Sequence, residues 1–240
     1  MRIAVLSDIH GNLPALDAVL AVLRPFDAIW QLGDVVGYGP QPDEVVDRLR
    51  AGKATGVRGN HDAAAIGDLD TDAFNRDART AVEWTAGRIS EATRAWLRAL
   101  PETTTAGDFT LAHGSPRDPT WEYLLTPAAA RANMKTMATT HGFVGHTHVP
   151  LVFREDGGTV ETLAPEDGSI IEIDDRRALL NPGSVGQPRD GDPRASAALF
   201  DTEAKTVAWR RVEYDIAATQ ERMRAAGLPR RLIERLERGL

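Results

Sequence analysis

The sequence contains no cysteine, and this absence excludes several kinds of site. A chain without cysteine has no disulfide framework, no thiolate zinc site and no cysteine nucleophile. Any metal ion must therefore be held by His, Asp, Glu or Asn side chains.

Long hydrophobic runs and blocks of basic residues are also missing. No apolar stretch approaches the roughly 20 residues that cross a membrane. The first apolar run, residues 3–6, reaches Ser7-Asp8 too soon for a signal peptide, so we expect a soluble cytoplasmic protein with no membrane partner. With 28 Lys and Arg against 35 Asp and Glu, the net charge is −7. Nucleic acid is therefore not favoured as the main partner, although a local basic groove is compatible with this balance.

The remaining composition is that of a globular protein. Hydrophobic residues make up 42% and charged residues 26% of the 240 residues, close to the usual values. At about 150 residues per domain, this length predicts a single domain over residues 1–240 rather than two domains. A chain of this length buries a continuous core without disulfides or a structural metal.

The first part of the chain alternates strand-like and helix-like segments. Short apolar runs at residues 3–6, 28–32 and 54–57 predict strands, and apolar residues at helical spacing lie between them. This β-α-β-α-β pattern is typical of an α/β sheet. Residues 65–105 are predicted to form a helical excursion, with Ser90 as a cap between two helices. Further strands follow, and two helices, near residues 214–226 and 229–240, close the chain.

Side chains able to do chemistry follow the strand-like runs in five short segments. The segments are Asp8-Ile9-His10, Gly33-Asp34, Gly59-Asn60-His61-Asp62, His113-Gly114 and Gly145-His146-Thr147-His148. Loops at the strand ends of an open α/β sheet converge on one crevice, so we expect these residues to meet. Imidazole together with carboxylate suits Mn, Fe or Zn. Two such ions about 3.5–4 Å apart activate a water for in-line attack on phosphorus.

The five segments, in this order, resemble the motifs of the calcineurin-like metallophosphoesterases: D-x-H, G-D, G-N-H-[DE], H and G-H-x-H. The stretch Asn181-Pro182-Gly183-Ser184-Val185-Gly186 resembles the closing segment of small bacterial members, so the resemblance covers most of the chain. The loop after Gly33-Asp34 is similar to that of a small prokaryotic subgroup of phosphoesterases, several of which favour phosphodiesters. The resemblance implies an α/β (α+β) fold, a four-layer sandwich of two mixed β-sheets flanked by helices, with a dinuclear metal site at the strand ends.

The family's site roles carry over position by position. The resemblance implies two divalent transition-metal ions, drawn from Mn, Fe, Zn and Ni, with Asp34 bridging them. Asp8, His10 and His148 would hold the first ion. Asn60, His113 and His146 would hold the second ion. A metal-bridging hydroxide would attack phosphorus, and His61 would be the catalytic residue that protonates the leaving oxygen or stabilises the phosphoryl charge. Asp62 would either orient the His61 ring or take a plain surface or helix-capping role.

Contacts to the substrate are less sharply indicated. Asn12 would either reach the substrate or cap the helix that follows it. Arg58 would either bind phosphate or form an ion pair at the sheet edge. Tyr38, between two glycines in a loop at the metal end, would line the pocket. The run Trp121-Glu122-Tyr123 would form either a substrate wall or core and dimer contacts, and a homo-oligomer is compatible with the sequence.

The activity implied by the resemblance is hydrolysis of small phosphoesters, with phosphodiesters favoured over phosphomonoesters. In the protein phosphatase branch the bridging motif continues as G-D-x-V-D-R-G, whereas this chain has Gly37 and Tyr38 in place of the later Asp and Arg. The difference argues against a protein phosphatase and leaves the phosphate clamp unassigned. A dinucleoside-polyphosphate hydrolase stays open as an alternative. A non-catalytic metal-binding scaffold is disfavoured because all seven ligands and His61 are present.

Overall fold

A computed structural model describes residues 1–240, which form twelve strands and eight helices. The strands are β1 (Arg2–Leu6), β2 (Ala28–Gln31), β3 (Thr55–Gly56), β4 (Thr103–Ala106), β5 (Phe109–Ala112), β6 (His141–Phe143), β7 (Leu151–Asp156), β8 (Thr159–Leu163), β9 (Ile170–Glu172), β10 (Ala178–Asn181), β11 (Ala195–Asp201) and β12 (Thr206–Val212). The helices are α1 (Leu13–Val22), α2 (Pro42–Ala51), α3 (Asn60–Ala65), α4 (Arg76–Ala86), α5 (Glu91–Ala99), α6 (Pro127–Met134), α7 (Ile216–Ala225) and α8 (Arg230–Glu234), and a short 3-10 helix, Arg235–Glu237, follows α8.

The strands form two six-stranded mixed sheets. The first has the order β3-β2-β1-β11-β12-β9, and the second has the order β4-β5-β6-β10-β7-β8. In the first sheet β1, β2 and β3 run parallel, and in the second sheet β5, β6 and β10 do; the other pairs are antiparallel. With helices on their outer faces, the sheets confirm the predicted α/β sandwich.

Alternation of side chains along β1 shows how the layers arise. Successive side chains of a strand point to opposite faces of its sheet. Ile3 and Val5 pack in the buried cluster between the two sheets, together with Phe143 of β6. Ala4 and Leu6 instead join the largest buried cluster, in which the first sheet packs against the helices. One apolar strand therefore contributes to two core layers.

A smaller core covers the outer face of the second sheet. Ala130 and Met134 of α6 pack there against Phe153 of β7 and Leu179 of β10. The order of layers is thus helices, first sheet, second sheet and α6, which gives the four layers that the resemblance implied.

Several elements differ from the sequence predictions. The excursion predicted over residues 65–105 contains α4 and α5, and the Ser90 side chain accepts a hydrogen bond from Thr93 N at 3.2 Å as the N-cap of α5. It also contains β4, a threonine-rich edge strand that was not predicted. β10 and α3 were not predicted either, and the final helix predicted near residues 229–240 is only α8 with its 3-10 extension. None of the helices is both long enough and apolar enough to cross a membrane.

The polar segments lie together because of strand direction. Asp8 follows β1, Asp34 follows β2 and Asn60 follows β3, and these three strands are parallel. His113 follows β5 and His146 follows β6, which are also parallel. The carboxyl ends of parallel strands meet at the same edge of a sheet, so each sheet delivers its polar loops to one edge.

The cluster between the sheets gives a test of the fold. Phe143 is fully buried there and stacks on Phe109 with ring centroids 5.1 Å apart. We expect Phe143→Ala to lower the free energy of unfolding by about 3–5 kcal/mol, because it removes buried contacts and leaves a cavity. Urea denaturation measures this change. Ile170→Ala, on a side chain that is 63% exposed, is the control and should change the free energy by less than about 0.5 kcal/mol. A loss of similar size in both variants would contradict this description of the core.

Candidate metal centre

Two groups of metal-ligating side chains lie where the strands end. Within each group, the ligand atoms lie within 4.8 Å of one another: Asp8, His10 and His148 in the first, Asp34, His113 and His146 in the second. All six side chains are buried. Asn60 joins the second group, because its Oδ1 lies 3.1 Å from His113 Nε2. The structure therefore brings together all seven side chains that the sequence singled out as ligands.

Asp34 lies between the two groups. Its Oδ2 is 3.3 Å from His113 Nε2 in the second group and 3.7 Å from His10 Nε2 in the first. Its other oxygen, Oδ1, accepts a hydrogen bond from the main-chain N–H of His61 at 2.9 Å, which fixes the carboxylate plane. One carboxylate oxygen thus faces ligands of both groups, as a bridging ligand must.

Main-chain carbonyls set the tautomers of three imidazoles. The Nδ1 atom of His10 lies 3.2 Å from the carbonyl oxygen of Val36. That of His113 lies 2.8 Å from Leu32 O, and that of His148 lies 2.6 Å from Gln187 O. Because a carbonyl oxygen only accepts hydrogen bonds, Nδ1 carries the proton in each ring. The Nε2 lone pairs are left pointing into the centre. This orientation of histidine by a second hydrogen bond is the usual arrangement of metal ligands.

Ring nitrogens face one another across each group. His10 Nε2 lies 3.2 Å from His148 Nε2, and His113 Nε2 lies 3.1 Å from His146 Nδ1. Asp8 Oδ1 lies 3.2 Å from His148 Nε2 and accepts no hydrogen bond. Converging lone pairs and this carboxylate oxygen fit a shared cation, and this set of N and O donors suits Mn, Fe or Zn.

The two carboxylates at the centre are buried away from solvent. Asp8 and Asp34 are at most 1% exposed, and the cationic groups near their carboxylates are all imidazoles. Burial alone lowers the pKa of His113, but the charge on Asp34 raises that pKa to about 9. Burial lowers the pKa of His146 to about 3, and the charge of His113 acts in the same direction. The Asp34 carboxylate therefore stabilises positive charge beside it on His113, whereas burial keeps His146 neutral.

The backbone of the ligand loops is strained. Five of the seven ligands have φ in the left-handed region, at values between 50° and 65°: Asp8, His10, Asp34, His146 and His148. Non-glycine residues rarely adopt this region, and each such residue costs roughly 1–3 kcal/mol. The loops are tied to one another by main-chain hydrogen bonds, including Asp8 N to Gly33 O at 3.1 Å and His10 N to Asp34 O at 2.9 Å. These bonds hold the ligands in a geometry that an isolated loop would avoid.

Gly59 lets two of these loops approach closely. A Cβ atom at this position would lie 2.1 Å from Asp34 Oδ1 and 2.4 Å from the Asp34 main-chain nitrogen. Real Cβ atoms do not come so near other atoms, so any larger residue would push Asp34 out of its place. The glycine that precedes Asn60 is therefore required by packing.

His61 lies beside the centre and belongs to neither ligand group. Its ring centroid is 4.9 Å from that of His10, 4.4 Å from that of Tyr38 and 4.9 Å from that of Phe74. The ring lines the cavity above the ligands, and its Nδ1 has no hydrogen-bond partner. Burial lowers the pKa of His61 to about 4. The imidazole is thus free to interact with a bound molecule.

Asp62 supports the loops rather than the His61 ring. Its carboxylate accepts main-chain N–H bonds from Val36 and Gly59, each at 3.0 Å. The bond from Gly59 caps helix α3, which is one of the two roles left open by the sequence. Burial raises the pKa of Asp62 to about 7.

The structure does not bring Asn12 or Arg58 into the cavity. The Asn12 carboxamide accepts from Ala15 N at 3.3 Å as the N-cap of α1 and donates to Gly186 O at 3.0 Å. Arg58 pairs with Asp68 at 2.8 Å. The helix cap and the ion pair, which the sequence left as alternatives to substrate binding, occupy these two side chains.

Aromatic rings form the walls of the cavity. Tyr38 lines it, as expected, and so do Trp121 and Tyr123. The Tyr123 ring stacks on His146 at 4.0 Å between centroids, and Trp121 packs edge to face on Phe74 at 5.2 Å. Trp121 and Tyr123 thus line the cavity, and Trp121 also packs against the main core, so the structure shows both contacts that the sequence left open.

Sequence reasoning missed Arg189. This side chain lines the cavity with Asp34, His61 and Tyr38. It lies only three positions after the stretch Asn181-Pro182-Gly183-Ser184-Val185-Gly186 that resembles the family's closing segment. No spacing pattern marks it, and the one available signal was an arginine in a Pro/Gly-rich loop next to a recognised motif.

Comparisons with known proteins agree with this geometry. The pattern of one family, described as the calcineurin-like phosphoesterase superfamily domain, matches residues 1–205. An uncharacterised protein of Methanocaldococcus jannaschii, MJ0912, is 39% identical over 98% of this chain and 96% of its own length. The Escherichia coli protein named phosphodiesterase YfcE is 28% identical over 86% of this chain and 91% of its own length. The crystal structure of a metallophosphoesterase from Sphaerobacter thermophilus has a TM-score of 0.91 and 48% identity, covering 100% of this chain and 99% of that one.

The position of Asp34 leads to a prediction about metal binding. We expect Asp34→Asn to lower the metal content from two ions to one or none per chain, because a carboxamide supplies only one weak oxygen donor between the groups. Elemental analysis after dialysis against Mn measures the content. Asp47→Asn, on an exposed side chain of α2, is the control. Two ions bound with unchanged affinity in Asp34→Asn would contradict the bridging assignment.

Proposed function

The chain belongs to the calcineurin-like phosphoesterase superfamily, and we propose that it is a hydrolase that cleaves small phosphodiesters with the aid of two divalent metal ions. The observation that carries this proposal is the Asp34 carboxylate, whose Oδ2 faces imidazole nitrogens of both ligand groups. A single carboxylate in that position favours two ions held close together over one isolated ion.

The seven ligands would hold the ions, one in each group, with Asp34 shared. When bound, such a pair of ions supplies an activated water for in-line attack and neutralises charge on the phosphoryl oxygens. The protein's own contribution is positioning. The main-chain carbonyls that fix the imidazole tautomers, and the hydrogen bonds that hold the strained loops, keep the donors in place before the substrate arrives.

His61 is proposed as the catalytic side chain of the reaction. It lines the cavity but belongs to neither ligand group, and its ring packs between Tyr38 and Phe74. From there it would give a proton to the leaving oxygen or donate a hydrogen bond to the phosphoryl group. The two roles differ in how strongly the rate depends on the leaving group.

Arg189 is proposed as the phosphate clamp that the sequence left unassigned. Tyr38 occupies the position at which the protein phosphatase motif has arginine, and Arg189 reaches the same tyrosine from another loop. Its Nη2 donates to the Tyr38 hydroxyl at 3.3 Å and to Gln187 Oε1 at 2.9 Å. No Asp or Glu side chain lies within 4.0 Å of its guanidinium. The charge is therefore available to an anion in the cavity, where guanidinium suits phosphate.

Two observations support phosphodiesters over phosphomonoesters. The cavity directly over the ligands is small, about 90 Å³, but it shares lining residues with a larger one of about 830 Å³. A second ester group on phosphorus therefore has space beside the centre. The relative from Escherichia coli is named a phosphodiesterase, which points to the same bond.

The deciding experiment is hydrolysis of bis(nitrophenyl) phosphate beside nitrophenyl phosphate. We expect protein stripped with a chelator to be inactive, and activity to return with Mn, with kcat/KM higher for the diester. Two bound ions without hydrolysis of either ester would favour the non-catalytic scaffold. A higher kcat/KM for the monoester would overturn the diester preference alone.

His61→Ala tests the assignment of the catalytic residue. We expect kcat to fall roughly 100- to 10,000-fold with both ions retained, because the side chain acts on the substrate and not on the metal. Phenyl esters, with a poorer leaving group than nitrophenyl esters, should lose more if His61 supplies a proton, whereas equal losses would indicate phosphoryl stabilisation. His141→Gln, at the histidine outside the five segments, is the control. Unchanged kinetics in His61→Ala would refute the assignment.

Arg189→Gln tests the phosphate clamp. We expect kcat/KM to fall roughly 10- to 100-fold, the loss that corresponds to one charged hydrogen bond. Arg189→Lys should recover only part of it, because an ammonium group lacks the planar fork. Arg194→Gln changes an arginine of the same loop that pairs with Asp192 at 2.7 Å, and it should retain the rate. Equal rates for Arg189→Gln and the unmodified protein would show that the clamp lies elsewhere.

A further inference from the structure

A large groove adjoins the metal centre. It has a volume of about 830 Å³, and it shares Tyr38, Asn75, Tyr123 and Arg189 with the smaller cavity over the ligands. Its far wall comes from α8 and the residues that follow, which lie outside the stretch matched by the family pattern. The groove thus extends the centre with residues that the family motifs do not include.

Positive charge is concentrated in this groove. Two carboxylates line it, Asp77 and Glu234, against five arginines: Arg76, Arg189, Arg231, Arg235 and Arg238. None of the five forms an ion pair with an Asp or Glu side chain within 4.0 Å, and Glu234 pairs instead with Arg230, outside the groove. In a chain whose net charge is −7, this excess of cationic groups is local.

Three of these arginines act on one another. Arg235 is half-buried, and burial lowers its pKa to about 10, with the charges of Arg189 and Arg231 acting in the same direction. The Nε of Arg235 donates to the main-chain oxygen of Leu240, which leaves its Nη atoms without a protein acceptor. Like charges held together repel, so an anion bound among them would be stabilised.

The size of the groove fits a small molecule. Sites for small ligands have volumes of about 300–1,000 Å³, and this groove lies within that range. Tyr38 and Tyr123 stand where it meets the metal centre. A ligand with one phosphate over the metal ligands would pass between these rings and place its remaining part among the arginines.

We propose that the groove binds a second phosphate group of the substrate, so that the substrate is a small phosphodiester that carries another phosphate away from the scissile bond, as a phosphorylated nucleotide does. The inference rests on the proposed function, since it assigns the other half of that substrate. The clustered guanidinium groups would bind the distal phosphate with bidentate hydrogen bonds.

Binding to chelator-treated protein tests the groove without turnover. We expect calorimetry to show thymidine 3′,5′-bisphosphate binding about tenfold tighter than thymidine 5′-phosphate. The double variant Arg231→Gln with Arg238→Gln should remove this advantage; both side chains are exposed, and neither makes a side-chain hydrogen bond. Arg222→Gln, on an exposed side chain of α7 outside the groove, is the control and should keep the advantage.

Hydrolysis by the Mn-loaded protein gives the second readout. The substrates are thymidine 5′-(nitrophenyl phosphate) and the same ester with an added 3′-phosphate. We expect kcat/KM to be about tenfold higher for the 3′-phosphorylated ester, and the double variant to lose this preference. If neither ester is hydrolysed, the proposed function is wrong and calorimetry alone decides the groove. If both are hydrolysed equally and the bisphosphate binds no tighter, the groove proposal is wrong and the hydrolase stands. Tighter binding of single-stranded DNA than of the bisphosphate, lost in the double variant, would also overturn it.

Discussion

Two buried carboxylates determine the architecture of this site. Asp8 and Asp34 are buried among imidazoles, and no Lys or Arg forms an ion pair with either carboxylate within 4.0 Å. Buried charges of this kind are tolerated only when cations or hydrogen bonds compensate them. The histidine tautomers, the hydrogen bonds between the loops and the close approach of Gly59 all serve that compensation. The two carboxylates and the imidazoles around them are therefore arranged as a site that could hold a cation.

Much of this could be predicted from the sequence because strand order and strand direction control where the polar loops go. Short apolar runs followed by Asp8, Asp34 and Asn60 were sufficient to locate parallel strands and converging ligands. Two strands, β4 and β10, were not predicted from the sequence, and the reasons are physical. β4 is a threonine-rich edge strand without an apolar face, and β10 is a four-residue strand with both faces buried, so neither shows a clear alternation.

The substrate side of the site was less accessible to sequence reasoning. Arg189 has no motif spacing, and its role depends on a loop that returns to Tyr38 from 151 residues away. The arginines of the groove come from α4, the loop that contains Arg189, and the chain end from α8 onward, so no single sequence segment marks them as a group. Asn12 and Arg58 were named for their nearness to motifs, yet local partners, a helix N-terminus and Asp68, take up their side chains. The motif resemblance named side chains that the structure brings together, whereas nearness to a motif named two side chains that lie outside the cavity.

Each ligand group draws members from both sheets. Asp8 and His10 come from the first sheet and His148 from the second, while Asp34 comes from the first and His113 and His146 from the second. The separation of the sheets is set by the rings packed between them, Trp30, Phe109, Phe143 and Phe200. These rings therefore set the distance between the side chains that the two sheets contribute to each ligand group. A homologue with identical motifs but smaller rings in this layer would hold the two halves of each ligand group at a different spacing, so the geometry of the site can evolve in the core while its polar residues stay the same.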